Sequence, residues 1–179
     1  MVHQRFRNFT NEWSTPDSIW LPLAKEFKFT LDVCATSDNA RCKRFFTLAD
    51  DGLKQQWQGV CWMNPPYGQQ IKKWVRKAFD AAKTGATVVC LLPARTNTSY
   101  WHDLCSQGEI RFIRGYPKFG NAKQGIKFPI AVVIFRPANT KEAPITSHNR
   151  QSMPLRCPKC GNLLPTICEA CHIVVDNRG

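Results

Sequence analysis

The sequence predicts an α/β domain on a sheet of parallel strands, followed by a small C-terminal module held by cysteines. Strand-like and helix-like segments alternate over residues 1–137, which is the pattern of strand–helix–strand units. Two Cys-x-x-Cys pairs lie near the end of the chain. With 179 residues, 43% of them hydrophobic, the chain can form one domain with a core and a small appendage.

The first predicted elements are a helix and two strands. The segment STPDSIWLPLAKEF predicts a helix with Thr15 as N-cap, Pro16 and Asp17 in its first turn, and Pro22 as an interruption. FTLDVCA predicts a strand that ends at Asp32 to Ala35. GVCWM predicts a second strand, which places Asn64 at its carboxyl end.

The remaining elements continue the alternation. QQIKKWVRKAFDAAKTG is an amphipathic helix that Gly85 ends, and ATVVCLLP is a buried strand. EIRFI and IAVVIF predict two further strands. We therefore expect parallel strands, whose ligands bind beyond the carboxyl ends, where Asp32 and Asn64 both lie.

The net charge of +12 and the pI near 9.5 indicate a polyanionic partner, most simply nucleic acid. Residues 110–141 contain no Asp or Glu, and the middle of this stretch reads as a glycine-bearing loop with aromatic residues. Such a loop suits phosphate contact and base stacking, although it could also be a merely solvated loop. The candidate DNA contacts are Arg111, Arg114, Lys118, Lys123 and Lys127.

The sequence indicates a soluble, cytoplasmic protein. No apolar run approaches the length of a membrane span, and the N-terminus lacks the apolar stretch of a secretory signal. Five scattered cysteines are then expected to be small, reduced residues, most of them buried. They are Cys34, Cys42, Cys61, Cys90 and Cys105.

The other four cysteines form the segment CPKCGNLLPTICEAC. Cys157 with Cys160 and Cys168 with Cys171 can each present two thiolates to one tetrahedral Zn²⁺. His172 could replace Cys171 as a ligand, and two disulfides are the alternative, which a reducing compartment disfavours. We expect a linker over 138–153 and a structural zinc-binding module over 154–179.

The segment CWMNPPYGQQ, residues 61–70, carries the strongest functional signal. Two consecutive prolines cannot donate to a sheet and are incompatible with a helix interior, so the segment must be a stiff loop that leaves a strand. An ordinary structural turn would explain the Asn and the prolines equally well when they are taken alone. Its position at the carboxyl end of a predicted strand favours a functional site.

Six segments in order resemble the phage and prophage Dam-like DNA adenine-N6 methyltransferases, which use S-adenosylmethionine. They are WSTPDSIW, LDVCATSDNARCKRFF, DDGL, WMNPPYG, LLPARTNTSYW and FPIAVVIF. The resemblance covers residues 12 to about 137 and implies a Rossmann-like class I methyltransferase sheet with helices on both faces, in the cytoplasm of the bacterial host. The cysteine module lies outside it.

The resemblance implies that Asn64, Pro65, Pro66 and Tyr67 form the catalytic loop. Adenine N6 is a poor nucleophile because its lone pair is delocalised into the ring. The Asn64 side-chain carbonyl and the Pro65 backbone carbonyl can accept both amino hydrogens. The two consecutive prolines fix the direction of the backbone carbonyl. The ring face of Tyr67, rather than its hydroxyl, is expected to stack on a base turned out of double-stranded DNA.

The resemblance also implies cofactor contacts. It places Trp13, Thr15 and Pro16 near the methionine end of S-adenosylmethionine and Asp32 on its amino group. Asp51, or alternatively Asp50, is expected to meet the adenine amino group. No Gly-x-Gly follows the first strand, and the small side chains of Cys34 and Ala35 would allow the close approach instead.

Three other functions are compatible with the same loop. A protein-glutamine methyltransferase faces the same chemical problem, although its substrate does not explain the basic stretch. Cytosine-N4 methylation is closer, although it more often pairs with Ser in place of Asn64. A non-catalytic, zinc-containing nucleic-acid-binding protein would need neither Asn64 nor Tyr67. The sequence leaves open the target site, the role of the zinc module and the oligomeric state, for which a monomer is favoured.

Overall fold

A computed structural model describes residues 14–137 apart from 121 and 123, together with the backbone of 167–168 and 173–174. The chain divides into two compact units, Met1–Ile145 and Thr146–Gly179. The predicted bounds of the domain, linker and zinc module stay a prediction. In the second unit, β6 (Ile167–Cys168) pairs antiparallel with β7 (Ile173–Val174).

The first unit contains a five-stranded mixed sheet in the order β1-β2-β3-β5-β4. Its helices are α1 (Asp17–Phe27), α2 (Ile71–Lys83) and α3 (Ser99–Asp103), and a 3-10 turn spans Cys105–Gln107. Its strands are β1 (Leu31–Asp32), β2 (Val60–Met63), β3 (Thr87–Pro93), β4 (Glu109–Phe112) and β5 (Ile130–Phe135). Within the described ranges, no helix is long and apolar enough to cross a membrane.

Helices cover both faces of the sheet, as predicted. Alternate β3 residues face opposite sides, since Val88, Cys90 and Leu92 belong to the core beneath α2 and α3, whereas Val89 and Leu91 belong to the core beneath α1. The side chains of α2 that face the sheet lie at helical spacing. They are Ile71, Val75, Ala78 and Ala82.

The prediction of a parallel sheet is correct only for β1, β2 and β3. β5 is antiparallel to both β3 and β4, with Phe112 opposite Ala131. Among the described residues between β4 and β5 there is no helix, so the chain turns back without the crossover that a parallel neighbour requires. This reversal places the β4–β5 loop, residues 113–129, at the edge where β1, β2 and β3 end.

Two predictions about α1 are wrong. Its N-cap is Pro16 rather than Thr15, because the Pro16 carbonyl accepts the N–H groups of Ile19 and Trp20, both at 3.0 Å. The helix also continues through Pro22, whose ring is exposed while the opposite face of the helix is buried. The hydroxyl of Thr15 is therefore not used at the helix start.

A segment after β1 folds back along it. The Asp32 backbone N–H donates to the Arg44 carbonyl and the Phe46 N–H donates to the Asp32 carbonyl, both at 2.9 Å. Gly52 then passes so close to β1 that a Cβ atom there would lie 2.2 Å from the Val33 carbonyl oxygen. Only glycine fits at that position, and this contact brings residues 50–52 beside the carboxyl end of β1.

Candidate active site

Asn64 follows β2 directly, and two hydroxyl groups hold its side-chain amide. Its Nδ2 donates to Thr15 Oγ1 at 3.2 Å, and its Oδ1 accepts from the Tyr67 hydroxyl at 2.9 Å. Asn64 is half-buried, Pro65 is buried and Pro66 is exposed. The structure therefore brings Thr15 and Tyr67 together on one amide, which the sequence did not predict.

The ring of Tyr67 packs against the β4–β5 loop. Phe119 and Phe128 approach it nearly at right angles, with ring centroids 6.4 and 6.1 Å away. Its hydroxyl also lies 3.3 Å from the Leu91 carbonyl oxygen of β3. Burial raises the pKa of Tyr67 well above its ordinary value, so the phenol keeps its proton and remains a hydrogen-bond donor.

Arg41, in the loop that follows β1, holds Thr15 in place. Its side chain is buried, and its carbonyl oxygen accepts from the Arg41 guanidinium. The same guanidinium pairs with Asp17 at 2.9 Å and lies over the Trp20 ring, 5.6 Å from its centroid. No role for the Arg41 side chain was predicted from the sequence, because the partners of its guanidinium lie more than 20 residues away in the chain.

Asp32 is 2% exposed and organises the loop after β1. Its Oδ1 accepts from the Cys34 N–H at 3.3 Å and its Oδ2 accepts from the Arg41 N–H at 3.1 Å. Burial raises the pKa of Asp32 to about 6, although these two N–H groups and the Arg41 charge oppose the rise. A buried carboxylate that titrates near neutral pH is typical of a binding site.

Cys34 connects this loop with the loop of residues 64–67. Its thiol donates to the Asn64 backbone carbonyl at 3.4 Å, and burial raises the pKa of Cys34 so that the thiol stays neutral. Ala35 is buried nearby, where its N–H donates to the Phe46 carbonyl at 2.9 Å. Both side chains are small and therefore take up little space at the carboxyl end of β1.

Asp50 and Asp51 differ in what holds them. The Asp50 carboxylate accepts both the N–H and the hydroxyl of Thr47 at 2.7 Å, and these bonds lower its pKa. Asp51 has a left-handed φ of 51° and pairs with Lys54 at 3.0 Å. Because exposed ion pairs are weak, Asp51 can exchange this partner more easily than Asp50 can leave its turn.

The predicted DNA-contacting residues fall into two groups. Arg111 lies on β4, where it makes two bonds to Glu26 at 2.6 and 2.7 Å and one to Glu109 at 2.5 Å. These carboxylates hold the pKa of Arg111 above its ordinary value and fix it within the fold. Arg114, Lys118 and Lys127 are exposed on the β4–β5 loop, at the edge that carries Asn64.

Several predicted site residues lie outside the described part of the chain. These are Trp13, Lys123 and the side chains of Cys157, Cys160, Cys168 and Cys171. Among the residues that are described, no group of three or more His, Cys, Asp or Glu side chains could hold a metal ion.

Comparison with known proteins gives one consistent result. The family model described as DNA N-6-adenine-methyltransferase (Dam) matches residues 5–156. The chain is 36% identical over 96 residues to a DNA N-6-adenine-methyltransferase of Haemophilus phage HP1, covering 52% of this chain and 55% of the relative. It is 30% identical over 92 residues to the protein of the same name from Escherichia phage T1, covering 50% and 38%. The chain thus spans about half or less of the length of these relatives.

Proposed function

Because the chain belongs to the DNA N-6-adenine-methyltransferase (Dam) family, we propose that it transfers a methyl group from S-adenosylmethionine to N6 of an adenine in DNA. The observation that carries this proposal is the Asn64 amide, held at the carboxyl end of β2 with its oxygen beside Tyr67. The names of the two phage relatives support the substrate and the position of methylation.

Asn64 and Pro65 activate the amino group without acid–base chemistry. Asn64 Oδ1 and the Pro65 carbonyl accept the two N6 hydrogens, which draws the nitrogen toward tetrahedral geometry and frees its lone pair. N6 attacks the methyl carbon, the carbon–sulfur bond breaks with its electron pair on sulfur, and N6 then releases one proton to water. Holding the reactants in contact can contribute on the order of 7–11 kcal/mol.

The adenine must leave the duplex to reach Asn64, because N6 is otherwise stacked and paired. Tyr67 would offer the extruded base a ring to stack on, as implied by the family resemblance. The exposed Arg114, Lys118 and Lys127 would contact phosphates on the flanking DNA. Arg111 remains a proposed contact, although two carboxylates already pair with its guanidinium and would have to give way to a phosphate.

The residues around β1 suit S-adenosylmethionine, which supplies an electrophilic methyl group on a sulfonium. Asp32 offers a buried carboxylate to the ammonium of the methionine part, and Cys34 and Ala35 leave room beside it. Asp51 is the candidate for the adenine amino group of the cofactor. Trp13, Pro16 and the Thr15 backbone remain proposed neighbours of the methionine end.

The proposed reaction is tested by incubating the protein with unmethylated DNA and methyl-labelled S-adenosylmethionine, followed by nucleoside mass spectrometry. N6-methyladenine is expected. Formation of N4-methylcytosine would show that the proposed target base is wrong. Label on protein instead of DNA would favour a protein-glutamine methyltransferase.

We expect the combined variant Lys118→Gln/Lys127→Gln to weaken DNA binding without changing cofactor affinity. Each lost phosphate contact should reduce the salt dependence of log K by about 0.9, so two contacts should flatten the slope by about 1.8. The matched control is Lys25→Gln/Lys83→Gln, which removes the same charge from helix ends at the opposite edge of the sheet. Equal slopes for both double variants would remove the β4–β5 loop from the DNA interface.

We also propose that Cys157, Cys160, Cys168 and Cys171 bind one structural Zn²⁺. Their spacing supports the proposal, since two Cys-x-x-Cys pairs supply the four thiolates of a closed tetrahedral site. Elemental analysis of the purified chain should find one zinc per chain, and a chain truncated before Pro154 should contain none. Retention of zinc by the truncated chain would place the metal elsewhere.

A further inference from the structure

Two hydroxyl groups, one of Thr15 and one of Tyr67, contact the two ends of the Asn64 amide. We propose that Thr15 and Tyr67 are positioning residues that orient the Asn64 carboxamide with its oxygen as the acceptor for the target amino group. This inference rests on the proposed function, because only an amino substrate needs an acceptor at this position.

The orientation matters because the two ends of a carboxamide have the same shape and opposite hydrogen-bonding roles. Rotation by 180° would present an NH₂ group to the adenine amino group, donor against donor. Thr15 Oγ1 accepts from Nδ2 at 3.2 Å, and the Tyr67 hydroxyl donates to Oδ1 at 2.9 Å. An amide oxygen accepts two hydrogen bonds, so the bond from Tyr67 is compatible with a second from the substrate.

The Leu91 carbonyl is a competing acceptor for the single proton of Tyr67. It lies 3.3 Å from the phenolic oxygen, against 2.9 Å for Asn64 Oδ1. The shorter distance is close to the optimum for an O–H donor, which favours the bond to Asn64. If the proton turned to Leu91, the phenol could accept from a rotated amide, so the bond to Asn64 is what excludes the unproductive orientation.

Both hydroxyl groups are themselves held in place. The Thr15 carbonyl is bound by Arg41, and the neighbouring Ser14 carbonyl accepts the Gly120 N–H at 2.9 Å. The Tyr67 ring packs against Phe119 and Phe128. Such support is what a preorganised acceptor requires, since an amide free to rotate would lose part of its effect on the rate.

The test is a double-mutant cycle measured as single-turnover methyl transfer at saturating DNA and cofactor. Tyr67→Phe should lower the rate about tenfold in the wild-type background, which is the effect of one hydrogen bond. In an Asn64→Ala background the same change should have no further effect, because the phenol then has no amide to orient. Thr15→Val should behave like Tyr67→Phe, and Thr15→Ser should restore the rate.

The matched control is Tyr100→Phe, which removes a buried tyrosine hydroxyl that lies 3.3 Å from the Pro93 carbonyl oxygen. Its rate should equal the wild-type rate. An undiminished rate in Tyr67→Phe, or a tenfold loss that persists in the Asn64→Ala background, would overturn the positioning role.

A second readout does not depend on activity. The ¹⁵N side-chain amide signals of Asn64, assigned by their loss in Asn64→Ala, should shift in Thr15→Val and Tyr67→Phe and stay in place in Tyr100→Phe. Unchanged signals in both Thr15→Val and Tyr67→Phe would contradict the proposed positioning of the amide by the two hydroxyl groups. If the wild-type protein fails to methylate adenine, the proposed function fails, while these signals still decide whether the two hydroxyls hold the amide.

Discussion

Asn64→Ala is expected to lower the rate of adenine methylation by about 10²–10³, because it removes one of the two acceptors at the amino group. The fold should tolerate the change, since Pro65 and Pro66 still shape the loop and the Tyr67 hydroxyl can turn to the Leu91 carbonyl. Affinity for S-adenosylmethionine should stay within a few fold of wild type. Single-turnover rates and calorimetry separate these two quantities.

Asn64→Asp gives the matched comparison for this prediction. An aspartate has the same shape and offers two acceptor oxygens where the amide has one, so its loss of rate should be smaller than that of alanine. If Asn64→Ala methylates DNA at nearly the wild-type rate, the catalytic assignment is wrong. If alanine and aspartate lose equally, the donor bond from Nδ2 to Thr15 matters more than the acceptor oxygen.

Local patterns predicted the loop of residues 64–67 and its place after β2. The spacing of apolar residues identified α2, and the apolar runs identified β2 and β3. Two prolines after β2 required a stiff loop, which left Asn64 at the carboxyl end of the strand. Each of these inferences needed only neighbouring residues, and the structure confirmed the elements.

The features that sequence reasoning missed depend on contacts between distant segments. The ion pair of Arg111 joins it to Glu26, 85 residues earlier in the chain, so a basic stretch alone could not show that this cation is occupied. The side chain of Arg41 was given no role, yet it connects the loop after β1 with Thr15. A turn without a crossover helix made β5 antiparallel, and the pattern of apolar residues does not encode strand direction.

The hydrogen bonds that the Thr15 and Tyr67 hydroxyl groups make to Asn64 were missed for the same reason. Thr15 looked like an N-cap because Ser and Thr commonly precede helices, but the helix begins one residue later, at Asp17. Its hydroxyl instead meets Asn64, 49 residues further along the chain. Tyr67 was assigned through its ring alone, because nothing local indicated that its hydroxyl would lie on the Asn64 amide.

If Asp32 binds the cofactor ammonium as proposed, cofactor binding should depend on pH. An ammonium group binds the ionised carboxylate, and burial raises the pKa of Asp32 to about 6. Affinity for S-adenosylmethionine should therefore be constant above about pH 7 and fall as the pH drops through 6, by up to about tenfold for each further unit. Calorimetric titrations between pH 5 and 8 measure this dependence directly.

Asp32→Asn should lower cofactor affinity about 10–100-fold at pH 7.5, which is the usual effect of losing a hydrogen bond to a charged group, and should abolish the decline below pH 6. The amide also turns one N–H toward a backbone N–H of Cys34 or Arg41, so thermal unfolding must be recorded beside binding. His102→Gln is the control, because His102 is exposed on α3 and is not among the residues proposed to contact the cofactor. A decline below pH 6 that survives in Asp32→Asn as it does in His102→Gln would remove Asp32 from the ammonium site.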